Sequence, residues 1–150
     1  MRLIVQLVKE SSCTIDGRIT GAINKGFMVL VGFGPDDNEE ITRKMAEKMV
    51  KLRIFGDNEG KMNLSLKDVD GAILSISQFT LYADCKKGNR PSFSGAMEPN
   101  KAKELYLYFN EYLRSLGYQV EEGIFGADMK IALVNDGPVT IILDSKEVIR

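Results

Sequence analysis

The hydrophobic pattern changes period several times along the chain, and each change marks an element. Residues 3–8 are apolar and β-branched and predict a first strand. Residues 12–15 and 18–23 predict two more, flanking Asp16-Gly17, a two-residue hairpin signal because Gly tolerates positive φ. Residues 26–32 are a continuous apolar run bounded by glycines, the pattern of a strand buried on both faces. The period then becomes helical over 37–53, where Ile41, Met45, Met49 and Leu52 form one stripe among Lys and Glu. Asp37 followed by Glu40 has the form of a capping box, with Asp36 and Asn38 as equal candidates for the cap. Residues 57–60 read as a turn, 62–66 as a short strand and 72–77 as a strand.

A polar, irregular stretch follows over 84–97, longer than most loops in a compact domain and for that reason a candidate functional loop. Pro99 stands where a first helical residue belongs, and Ala102, Leu105, Phe109, Tyr112, Leu113 and Leu116 form a helical stripe stopped by Gly117. Residues 118–122, 129–134 and 139–143 predict three more strands, the last two joined by Asn135-Asp136-Gly137-Pro138 as a hairpin turn. Pro138 resists that reading. It removes a donor and restricts Gly137, and an X-Pro bond in a tight turn is the usual place for a cis peptide.

No repeat, low-complexity tract or linker divides the chain, so 1–150 reads as one α/β domain. Strands outnumber two helices. The expected architecture is two packed, mostly antiparallel or mixed β-sheets, barrel-like, with both helices on one side in three α/β/β layers.

Composition changes this picture mainly by exclusion. The 44% hydrophobic and 27% charged residues are ordinary for a globular protein, and a net charge of −1 advertises no polyanionic partner. The chain contains no His. That removes every Ser-His or Cys-His pair, every His-liganded zinc site and any imidazole acid or base. Cys13 and Cys85 stand far apart without a CxxC, so they read as spare thiols of a reducing compartment, and no metal or cofactor is expected. The start is too polar for a signal peptide and no apolar run has the length of a membrane span, so a cytoplasmic location is expected.

Three segments are candidates for chemistry. Ser77, Gln78, Phe79 and Thr80 stand where the 72–77 strand enters the long loop, a position that exposes backbone amides. With no base to activate it, neither hydroxyl is a convincing nucleophile, but exposed N–H groups can form an oxyanion hole. Lys86, Lys87 and Arg90 put three positive charges on that loop, either as a solvated face or as phosphate contacts assisted by Phe93. The third segment is 135–138.

Taken together and in order, Ser77-Gln78-Phe79-Thr80-Leu81, Arg90-Pro91-Ser92-Phe93 and Asn135-Asp136-Gly137-Pro138-Val139-Thr140 resemble the D-aminoacyl-tRNA deacylase family. The likeness covers essentially the whole chain. It implies a homodimer that hydrolyses the ester between a D-amino acid and the terminal ribose of tRNA, and releases glycine mischarged on tRNA-Ala. It implies that Ser77, Gln78, Phe79 and Thr80 line the site, that amides at Gln78 and Phe79 hold the oxyanion, and that Thr80 or the RNA's own 2′-OH assists attack. It further implies a cis Gly137-Pro138 pair reaching into the partner's pocket to exclude L residues, with Asn135, Phe125 and Met129 beside the substrate. The family commonly has Gln-Arg where this chain has Gln6-Leu7, a departure that removes a support of the Gly-Pro pair. The alternatives are a non-catalytic tRNA- or RNA-binding dimeric module and a dimeric structural protein.

Overall fold

The computed structural model describes residues 1–149. Its strands are β1 (Arg2–Ile15), β2 (Arg18–Ile23), β3 (Gly26–Gly32), β4 (Phe55–Gly56), β5 (Met62–Leu64), β6 (Ala72–Ser77), β7 (Val120–Glu122) and β8 (Lys130–Asp144). Its helices are α1 (Glu39–Val50), α2 (Pro99–Ser115) and the short α3 (Ser145–Val148). The two segments read as strands at 3–8 and 12–15 are one strand. The polar Lys9 and Glu10 between them stand where β1 changes partner, from β3 over Arg2–Val8 to β2 over Ser11–Ile15.

The last two expected strands are likewise one. Both halves of β8 pair with the other edge of β1, from Arg2↔Asp144 to Thr14↔Lys130. Residues 135–138 are therefore no hairpin turn. Gln6 pairs with Thr140 and Val8 with Asn135, so residues 136–139 bulge out opposite Leu7 alone. The cause is the length of β1, which offers one unbroken edge to both halves. The Gly137-Pro138 bond is cis, and Gly137 has φ +117°, a conformation that suits glycine.

The main sheet runs β2-β1-β3-β6-β7 with β8 on the free edge of β1, and β4-β5 form a small second sheet. β1 is antiparallel to β2, β3 and β8, while β3-β6 and β6-β7 are parallel. This mixed sheet curls until β2 lies against β6 and β7, a nearly closed barrel as the strand-rich pattern implied. Burial of β3 on both faces explains its glycine-bounded apolar run. Phe27, Val29 and Val31 pack against α1 and α2, through Met45, Met49 and Phe109 among others. Met28 and Leu30 face the barrel interior with Cys13, Leu74 and Ile76. Both long helices thus cover one side.

The caps follow local chemistry. Asn38 caps α1 by accepting from the Ile41 N–H at 2.9 Å, while Asp37 instead accepts from the Gly34 N–H and pairs with the Met1 ammonium at 2.6 Å. Glu98 caps α2 by accepting from the Asn100 and Lys101 amides, and Pro99 occupies the first turn.

Candidate active site at the end of β6

β6 ends at Ser77, and the chain turns at once into a short 3-10 turn, Phe79–Tyr82. Gly32 at the end of β3 makes room for it: a Cβ there would stand 3.0 Å from the Gln78 carbonyl and 3.1 Å from Leu81 Cβ. Arg2 secures the far end of the turn, donating to the Leu81 carbonyl at 2.8 Å and stacking over Tyr82 at 4.5 Å. A cavity of about 150 Å³ lies against the near end. Ser77, Gln78 and Phe79 line it, together with Val31 and Gly32 from β3, Met97 and Ala102 around the start of α2, and Phe125, Gly126, Ala127 and Met129 from the β7–β8 connection.

Among the described residues no ionisable side chain lines the cavity. The amides are the chemically active groups there. The Gln78 N–H donates to the Val31 carbonyl at 2.8 Å, so one of the two amides expected to hold an oxyanion is already committed. The Phe79 and Thr80 N–H groups open the turn. As its first two they have no acceptor within it, and among the described residues none elsewhere. The Gln78 side-chain amide donates to Thr80 Oγ1, and among the described residues no carboxylate or amine bonds that hydroxyl.

The long loop is more ordered than its composition suggests. Asp84 and Ser92 exchange backbone hydrogen bonds of 2.7 and 2.9 Å, drawing 85–91 into a hairpin-like excursion. Lys86, Lys87 and Arg90 are exposed on it. Phe93 returns the chain to the site by meeting Phe79 edge-to-face, ring centroids 5.0 Å apart. The Met97 N–H then donates to the Phe33 carbonyl at 3.0 Å, setting Met97 into the pocket wall. The cationic loop is thereby hinged on a pocket-lining ring.

Of the expected site residues, Ser77, Gln78, Phe79, Phe125 and Met129 come together at the cavity, and Thr80 sits in the adjoining turn. Asn135, Gly137 and Pro138 do not join them within one chain. Gly137 and Pro138 protrude opposite Leu7, and Asn135 pairs with Val8. Leu7 in turn pairs with Phe27, whereas the cavity's Val31 and Gly32 pair with Leu3 and Arg2 toward the other end of β3. Val31, Gly32, Met97 and Ala102 were not among the sequence candidates. Gly32 was the one visible signal, a glycine ending a buried strand. Both thiols are free, Cys13 buried and Cys85 exposed, and among the described residues no three His, Cys, Asp or Glu side chains cluster. Among the described residues no helix is long and apolar enough to cross a membrane.

The chain matches the family model described as D-Tyr-tRNA(Tyr) deacylase over residues 4–144. It is similar to a solved structure titled "c-Myc DNA Unwinding Element Binding Protein", with 39% identity and a TM-score of 0.90, covering 96% of this chain and 98% of that one. It shares its fold with a second, titled "Structural Analysis of a probable eukaryotic D-amino acid tRNA deacylase", at 19% identity and a TM-score of 0.82, covering 95% and 97%. With a pocket at the segment that carried the resemblance and a family match across nearly all its length, this chain belongs to the D-Tyr-tRNA(Tyr) deacylase family of hydrolases.

Proposed function

We propose that the cavity at the end of β6 receives the aminoacyl group of a D-aminoacyl-tRNA and that water cleaves its ester there, releasing free D-amino acid and tRNA. One observation carries this reading: a pocket that, among the described residues, has no ionisable side chain and is rimmed by the uncommitted amide of Phe79. As water adds to the ester, the carbonyl oxygen becomes negative. A fixed N–H stabilises that charge more than it does the neutral ester, which lowers the barrier. Collapse of the adduct breaks the bond to the ribose oxygen, which takes up a proton. Among the described residues the lining offers no base, so the water's proton passes to solvent, or to the 2′-OH as that hydroxyl gives its own proton to the departing ribose oxygen. A cavity of about 150 Å³ is of the size that takes up a benzene ring, which suits an aromatic aminoacyl group.

Chirality then needs a rigid obstacle, because D and L isomers carry the same functional groups. Gly137 and Pro138 are the candidates. They protrude away from their own pocket, so a second copy of the chain has to deliver them, and the working unit is a homodimer. Glycine has no side chain to be excluded, so glycine mischarged on tRNA-Ala is also a substrate. Lys86, Lys87 and Arg90 hold phosphates near the tRNA acceptor end, with the loop anchored to the pocket through Phe93 and Phe79.

The test is turnover of matched D-tyrosyl-, L-tyrosyl- and glycyl-tRNA at substoichiometric protein, with sedimentation to establish the oligomer. Many turnovers on D-tyrosyl- and glycyl-tRNA, and few on the L form, are expected. Salt-sensitive tRNA binding without turnover would replace the enzyme reading by a non-catalytic nucleic-acid module.

A further inference from the structure

We infer that Tyr106, behind the pocket on α2, is a positioning residue whose phenol ties together the two walls that grip the aminoacyl group. The inference rests on the deacylation proposed for that pocket. Tyr106 is 1% exposed and does not line the cavity. Its hydroxyl donates to the Ser75 carbonyl at 2.6 Å, two residues before Ser77 in β6. Asn110 and the Gly123 backbone also face that hydroxyl, and burial pushes the phenol up to about 12 against the lowering effect of those contacts. Gly123 stands two residues before Phe125, and the Phe125 ring lies against the Tyr106 ring with centroids 6.1 Å apart. One side chain therefore reaches the strand carrying Ser77 and the connection carrying Phe125, while Ala102, one turn earlier on its own helix, lines the same cavity.

The β7–β8 connection needs such a tie. Over 123–129 it has no strand pairing, and within it the backbone bonds to itself through Ala127 N–H to Ile124 O. Its second anchor is the polar pair beside the phenol: the Asn110 amide donates to Glu122 Oε2 at 2.6 Å, with Arg114 on the same carboxylate. A buried hydroxyl that bonds a backbone carbonyl sets distance rather than chemistry. Tyr106 fixes how far Phe125 stands from the Phe79 amide, and hence where the ester carbonyl rests against it. Misplacement of a reacting group by about 1 Å costs up to about a hundredfold in rate, so a small loosening is visible in kcat.

The experiment compares Tyr106→Phe with two controls in the full chain. Ser75→Ala keeps the carbonyl that accepts the bond, and its hydroxyl has no partner to lose. Phe109→Leu loosens the same helix in the same core and leaves the phenol in place. In Tyr106→Phe, amide hydrogen exchange at 123–127 should rise at least about tenfold, kcat on D-tyrosyl-tRNA should fall about tenfold and KM should change less than about twofold. Both controls should keep wild-type exchange over 123–127 and wild-type kcat. Unchanged exchange in Tyr106→Phe would overturn the tie, whatever the activity. Raised exchange with unchanged kcat would overturn the positioning role. A wild type that never turns over, with exchange raised in the variant, would remove the deacylase reading and leave the tie standing as a purely structural one.

Discussion

The Asn135 side-chain amide donates to the Leu7 carbonyl at 2.9 Å and to the Val139 carbonyl at 3.0 Å, closing the neck of the protrusion that carries Gly137 and Pro138. The Leu7 side chain is turned away into the helix-facing core and is 6% exposed. The hold on the protrusion therefore comes from the backbone of residue 7. Residue 7 thus holds the protrusion through its carbonyl, whatever its side chain.

Asn135→Ala should accordingly cost about 1–3 kcal/mol of stability, since two carbonyls lose a common donor. Its sharper effect is on selectivity: hydrolysis of L-tyrosyl-tRNA relative to the D form should rise at least about tenfold as the obstacle loosens. Paired kcat/KM values for the two isomers measure this. An unaltered ratio would mean that the protrusion keeps its place without Asn135.

Gly137→Ala should act differently. A Cβ at this φ of +117° would meet Val139 Cγ2 at 2.9 Å and the Val139 amide nitrogen at 3.2 Å, so the protrusion must rearrange. Activity on both isomers should fall, with the dimer intact by sedimentation. Wild-type kinetics would show that the motif's exact shape is irrelevant to the site.

Thr80→Ala should retain activity within about tenfold of wild type, because nothing among the described residues can take the hydroxyl's proton. Single-turnover deacylation provides the measurement. A loss of several orders of magnitude in a folded, tRNA-binding variant would make Thr80 the nucleophile and displace the amide mechanism.

The pH profile should carry no enzyme pKa. Among the described residues the cavity has no titratable lining, and the nearby phenols of Tyr106 and Tyr82 are both pushed upward by burial, away from the assay range. Log kcat should rise steadily from pH 6 to 9 as hydroxide or the substrate's own groups ionise, without the acid and base limbs of a bell. A bell whose limbs move on mutating a protein side chain would reveal a general acid or base.

Replacing Lys86, Lys87 and Arg90 together by Ala should weaken tRNA binding. The log–log salt slope should flatten by up to about 0.7–0.9 per lost phosphate contact. Binding titrations from 50 to 300 mM salt read the slope directly, and an unchanged value returns the loop to a merely solvated surface.

Much of this was legible in the sequence because it depends on local physics. The double-sided burial of β3, the stripe of α2 with Pro99 at its start and Gly117 past its end, and the absence of any imidazole all follow from residue type and spacing. The segment Ser77–Thr80 could be picked out as a strand end able to expose amides. What spacing could not show was which strand edge each apolar run would meet. The two halves of β8 look like a hairpin by themselves, yet the unbroken edge of β1 captures both and turns Asn135–Pro138 into a pinned protrusion. The same holds for the amides, since the register of β6 against β3 decides that Gln78 is spent on Val31 and that Phe79 is free. Pairing partners lie far apart in sequence, and their choice depends on total burial over the whole sheet. Tertiary structure alone settles it.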